Sequence, residues 1–149
     1  MQRYPRKNAY LRAMKKSLVL SNDIRQIPEL AAFVEALAEE TSLDPALAMS
    51  LNLALEEAVT NVMMYAYPAG VTGQVELDVE AEAGRLVFQL RDAGVPFDPT
   101  AAPDADISLS LEERPIGGLG IFLVRQIMDS VTYVRKGDKN ILTLTKNIA

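Results

Sequence analysis

The chain has 149 residues, 49 % of them apolar and only 6 % aromatic, which suits one domain with a single core of aliphatic side chains. It contains no cysteine and no histidine, which removes disulfides, thiolate and imidazole chemistry and phosphohistidine; catalysis, if any, rests on carboxylates, hydroxyls, amides or a recruited metal. The net charge is −5, and because the first sixteen residues hold six basic groups and no acidic one, the remainder carries −11, which argues against a nucleic-acid surface on the folded body.

Residues 1–15 read as a basic, solvated tail, with Met14 as an alternative start, and residues 16–149 as one folded domain. No stretch is long and apolar enough for a membrane span, and the basic N-terminus lacks the apolar segment of a secretory signal, so a cytoplasmic protein is expected. A β-prone run, Lys16 to Leu20, ends at Ser21-Asn22-Asp23, residues that cap helices. Leu30, Phe33, Val34, Leu37 and Ala38 then recur at helical spacing, with Pro28 tolerated in the first turn. Asp44-Pro45 supplies an N-cap and a first-turn proline for a second helix that runs to about Tyr65.

Gln74 to Glu80 alternates polar and apolar and predicts a strand with one buried face. Ala83-Gly84 turns the chain into Leu86–Leu90, whose nearly continuous apolar character predicts a more central strand. From Ala93 to Gly117 lie four of the eight prolines, in a connection too long to be idle inside a small domain. Leu123, Val124, Ile127, Met128 and Val131 mark a third helix, and strands at Thr132–Arg135 and Ile141–Thr145 flank a Gly137-Asp138 turn. This order predicts an α+β fold, a two-layer α/β sandwich with a mixed, largely antiparallel sheet and helices on one face.

Three stretches invite chemistry. In LEEAVTN, Glu57 and Asn61 fall four residues apart on the stripe Leu53, Glu57, Asn61, Tyr65, beside an apolar flank and with no basic residue near in sequence. By itself that spacing also fits an ordinary half-exposed polar pair. In RDAGVPFDP, Asp92 ends the central strand just before Gly94, where a carboxylate can accept a hydrogen bond from a planar ligand's amino group; a plain turn is the other reading. In RPIGGLGIFLVRQ, three glycines in four positions precede a periodic helix. A helix N-terminus with converging N–H groups suits phosphate, or the glycines are simply a hinge; no lysine makes it a P-loop.

Taken together and in this order, EEAVTNVMMYAYP, RDAGVPFDP and GGLGIFLVRQIMD resemble the N-box and the two glycine boxes of the histidine-kinase-like (GHKL) ATPase superfamily, and within it the bacterial anti-sigma factor serine/threonine kinases. The resemblance implies that Glu57 is the general base acting on a substrate hydroxyl and that Asn61 gives its side-chain oxygen to Mg²⁺. It implies that Asp92 reads the adenine amino group of ATP with Gly94 giving the base room, and that Gly117, Gly118, Leu119 and Gly120 wrap the triphosphate. Residues 95–116 would form the ATP lid, whose Arg114 either reaches the γ-phosphate when the lid closes or is an ordinary solvated arginine. The implied partners are a sigma factor, a small antagonist protein phosphorylated on serine, and a second copy of the chain as a homodimer. Members often carry histidine where Tyr65 stands. A non-catalytic ATP-binding switch that sequesters partners according to nucleotide state is the alternative; an ATPase module of DNA machinery does not suit the acidic body.

Overall fold

The computed structural model describes residues 14–101 and 118–148, giving for 118–120 the helical backbone. Strand β1 (Met14–Ser21) leads through a 3-10 turn at Ile24–Gln26 into helix α1 (Ile27–Thr41) and then α2 (Pro45–Tyr65). Strands β2 (Gln74–Glu82) and β3 (Arg85–Asp92) follow, then a second 3-10 turn at Pro99–Ala101, helix α3 (Gly118–Ile127), and strands β4 (Ser130–Lys136) and β5 (Lys139–Asn147). The strands form one sheet in the order β1-β2-β3-β5-β4 with every pairing antiparallel. This is the two-layer α+β sandwich expected from the sequence, and β3 is indeed its middle strand. Among the described residues no helix is long and apolar enough to cross a membrane.

Local chemistry sets the ends of these elements. Asp23 caps the 3-10 turn by accepting from the Arg25 N–H, and Pro28 sits in the first turn of α1, where its missing donor costs nothing. Ser42, at φ 53°, closes that helix in the left-handed conformation, its N–H donating back to Glu39 O. Asp44 accepts from the N–H groups of Ala46 and Leu47, capping α2 with Pro45 directly behind it. Ala83 and Gly84 turn the β2–β3 hairpin with φ of 33° and 83°, the paired positive values that suit a tight hairpin.

The strands run a residue or two beyond the sequence reading, and two differences move residues into another element. β1 begins at Met14, so Met14 and Lys15, assigned from the sequence to the tail, pair with Ala81 and Glu80 of β2. α3 stops at Ile127 and Val131 lies in β4, because the Asp129 N–H donates to Thr145 O and its carboxylate accepts from the Asn147 N–H, drawing the chain onto β5. The rest of the basic tail lies outside the described residues.

Period-two alternation gives the sheet two unlike faces. Val75, Leu77, Val79 and Ala81 of β2, Leu86, Phe88 and Leu90 of β3, and Leu142 and Leu144 of β5 are buried beneath the helices. They pack with Leu30, Phe33, Val34 and Leu37 of α1, Leu51, Leu55, Ala58, Val59 and Val62 of α2, and Ile121 and Val124 of α3. The outer face is charged along β2, where Arg91 pairs with both Glu76 and Asp78 and Lys15 lies 3.8 Å from Glu80, and carries exposed Val19 and Val134 on β1 and β4. Asp44→Ala should leave this architecture intact while lowering stability by about 0.5–2 kcal/mol through loss of the α2 cap, read as a lower urea midpoint with an unchanged slope.

Candidate functional site

The polar stripe of α2 runs from solvent into the core. Leu53 is exposed, Glu57 and Tyr65 are half-buried, and Asn61 is only 8 % exposed. Among the described residues neither the Glu57 carboxylate nor the Asn61 amide makes a hydrogen bond or ion pair. Glu56 differs, since its Oε2 accepts from Asn52 Nδ2 at 2.8 Å. The Asn61 amide atoms still reach solvent, so its hydrogen-bonding capacity is open at that point of α2, whereas the fully enclosed side-chain atom without a partner among the described residues is Asn52 Oδ1.

Asp92 ends the middle strand on its inward face and is 2 % exposed. Its Oδ1 accepts from the Gly94 N–H at 2.8 Å and from Asn140 Nδ2 at 2.8 Å, Asn140 being its register partner on β5. Both bonds converge on one oxygen, and among the described residues none reaches Oδ2. The carboxylate is thus held in one orientation with one acceptor oxygen uncommitted, which suits an amino group on a planar base.

The end of α2 is stitched to this strand end. Ala66 O accepts from the Val95 N–H at 2.7 Å, and the approach is so close that a Cβ on Gly94 would lie 2.2 Å from Ala66 O. Glycine is therefore required here by the backbone of α2, a reason the sequence did not supply. Tyr67 adds a second stitch, accepting from the Ala93 N–H at 3.1 Å and donating to Gln74 O at 2.6 Å. Burial pushes this phenol above its usual range. Its ring also lies where a Cβ on Gly73 would fall, 2.2 Å from Cε1.

The segment after Gly94 is anchored from four directions. Arg135 Nη1 donates to Gly94 O at 2.8 Å, and Asn140 binds Val95 O and the Phe97 N–H at 2.8 and 3.1 Å. Arg125 of α3 donates to Thr100 O at 2.7 Å. The Phe97 ring sits 5.7 Å from that of Tyr65, tilted by 42°. Tyr65 thus packs against the first part of the expected lid.

The structure therefore joins Asp92 and Gly94 to the end of the helix that carries Glu57 and Asn61. It also packs α3, whose first turn is Gly118, Leu119 and Gly120, along α2. Gly117, Arg114 and the lid beyond Ala101 lie outside the described residues. The sequence reading missed Tyr67, Arg125, Arg135 and Asn140. Only Asn140 left a trace: period-two spacing puts it on the inward face with Leu142 and Leu144, an amide where an apolar residue belongs.

Residues 20–146 match the model of the histidine kinase-like ATPase domain. The serine/threonine-protein kinase BtrW of Bordetella bronchiseptica is 30 % identical over 103 residues, covering 69 % of this chain and 72 % of that protein. The serine-protein kinase RsbW of Bacillus cereus is 30 % identical over 102 residues, 66 % of this chain, which spans only 62 % of the RsbW length. A solved structure of the RsbU and RsbW domains of Rv1364c from Mycobacterium tuberculosis superposes with a TM-score of 0.65 at 14 % identity, over 91 % of this chain and 32 % of that one, and so shares the fold.

Gly94→Ala should be disruptive, since the added methyl meets backbone that cannot yield as a side chain would. A loss of about 1–3 kcal/mol in unfolding free energy is expected, with weaker nucleotide binding measured by equilibrium titration. Unchanged stability would show that the α2 end and the β3 end are not in fixed contact.

Proposed function

The chain belongs to the family of histidine kinase-like ATPase domains, and from that membership we propose that it is an ATP- and Mg²⁺-dependent serine/threonine protein kinase. We place it in a cytoplasmic partner-switching system, where it doubles as an anti-sigma factor and phosphorylates a serine on a small antagonist protein. Names of relatives as serine and serine/threonine protein kinases support the reaction class. The observation that carries the proposal is the unpaired Glu57 carboxylate one helical turn before the unpaired, nearly buried Asn61 amide.

In this reading Glu57 accepts the proton of the substrate serine as its oxygen becomes the nucleophile. No ion pair or hydrogen bond occupies its carboxylate among the described residues, so both oxygens are open to a hydroxyl. Asn61 offers its side-chain oxygen to magnesium, an ion that needs only one or two protein oxygens because water and phosphate complete its shell. Asp92 Oδ2 accepts from the adenine amino group, and the first turn of α3 presents free backbone N–H groups to the phosphates. Bound Mg-ATP supplies the phosphoryl group and the charge that neutralises it. The partners are a sigma factor and its antagonist, and the chain pairs with a second copy of itself.

Phosphoryl transfer from labelled ATP to a serine-bearing antagonist, with phosphosite mapping, tests the proposal. Glu57→Gln should slow transfer by roughly 10²–10⁴-fold while leaving ATP affinity within a few-fold, whereas Asn61→Ala should abolish the magnesium dependence of binding. Transfer by Glu57→Gln at the wild-type rate would remove Glu57 as the base. Tight ATP binding without transfer to any protein would leave a nucleotide-dependent switch.

A further inference from the structure

Asn140 is only 4 % exposed, and its amide is completely used. Nδ2 donates one hydrogen to Asp92 Oδ1 and the other to Val95 O, both at 2.8 Å. Oδ1 accepts from the Phe97 N–H at 3.1 Å and from the Tyr133 hydroxyl at 2.5 Å. Two donors and two lone pairs are the whole capacity of an asparagine side chain. The pattern also fixes which way the amide faces, since a flipped group would point its donors at the Phe97 N–H. None of the four partners lies on β5. One is the carboxylate at the end of β3, two are backbone groups at positions 95 and 97, and one is a β4 hydroxyl.

We propose that Asn140 is a positioning residue that couples Asp92 to the root of the lid, so that base recognition and the placement of residues 95–97 occur as one event. By occupying Oδ1, Asn140 and the Gly94 N–H leave Oδ2 as the oxygen that meets the nucleotide. A pull on Oδ2 is transmitted through the shared amide to Val95 O and the Phe97 N–H, three and five residues beyond Asp92 in the chain. Phe97 in turn rests on Tyr65 of α2, one turn beyond Asn61. The amide therefore links the adenine end of the site to the helix that carries the proposed metal ligand, without touching the nucleotide. A hydroxyl or an aliphatic side chain at this position could not serve all four partners at once.

This inference rests on the nucleotide-binding reading above, and the test separates the two. Amide exchange across residues 94–101 is followed in the full chain with and without Mg-ATP, beside an equilibrium titration with ATP. In wild type, nucleotide should slow exchange at Phe97. Asn140→Asp keeps an acceptor for Phe97 and Tyr133 but loses both donors and sets a second carboxylate against Asp92. It should keep the ligand-free protection of Phe97, weaken ATP by roughly tenfold or more, and at saturating ATP show no added protection. Tyr133→Phe removes only the outermost bond and should leave affinity and protection within about twofold.

Asn140→Leu should speed ligand-free exchange at Phe97 by roughly tenfold or more. Wild-type affinity in Asn140→Asp, or full nucleotide-induced protection in that variant, overturns the coupling. A wild-type chain that binds no ATP refutes the kinase reading and the coupling to nucleotide together. The clamp is then decided by Phe97 exchange in the ligand-free Asn140→Leu variant, where an unchanged rate overturns it and loss of folding is checked by Asn140→Asp.

Discussion

The close approach of the Gly94 backbone to the carbonyl of Ala66 is the constraint on which the rest of the site depends. It fixes the end of α2 against the end of β3 at a separation that no side chain permits. Everything else follows from that contact. The helix that bears Glu57 and Asn61 finishes beside the strand that bears Asp92, and the chain leaves Gly94 already bonded to Ala66 through Val95. A larger residue at position 94 would not merely crowd a ligand; it would part the two elements that make the site.

Around this contact the fold keeps its buried polar groups in two states. Thr41 is satisfied by its own helix, its hydroxyl donating to Leu37 O at 2.7 Å, and Asn140 is satisfied by four partners from elsewhere. Asn61 and one oxygen of Asp92 are left with capacity to spare. In a low-dielectric interior, satisfied networks rigidify, while unpaired groups cost free energy that a ligand can recover. Thr41 and Asn140 thus belong to the scaffold and Asn61 and Asp92 keep open capacity, although Asn52 Oδ1 of α2 is also unpaired and lies outside the candidate site.

Much of the fold was legible because its signals are local. Asp44-Pro45 announces a helix start by satisfying orphan donors two and three residues on, and the alternation of β2 needs only its own side chains to declare a buried face. Val131 misled because apolar spacing cannot see that Asp129 is captured by β5, eighteen residues further along the chain. The candidate site was legible in the residues that carry the family resemblance, and opaque in its supports. Tyr67 reaches Ala93 over 26 residues and Asn140 reaches Asp92 over 48, and neither partner leaves a mark near the other in sequence. Gly94 was visible as a glycine, but its reason was not, since the obstacle is a carbonyl on another element.

The outer face of the sheet has a consequence for what can lie against it. Its carboxylates from β2 are flanked by cations from both neighbouring strands, Lys15 on one side and Arg85 and Arg91 on the other. Charge over β2 disfavours stacking an apolar surface there, whereas the half-exposed Val19 and Val134 leave β1 and β4 with apolar positions on the same face. A protein surface that settles over β2 must offer its own ordered charges, and that part of its hold will loosen as ionic strength rises.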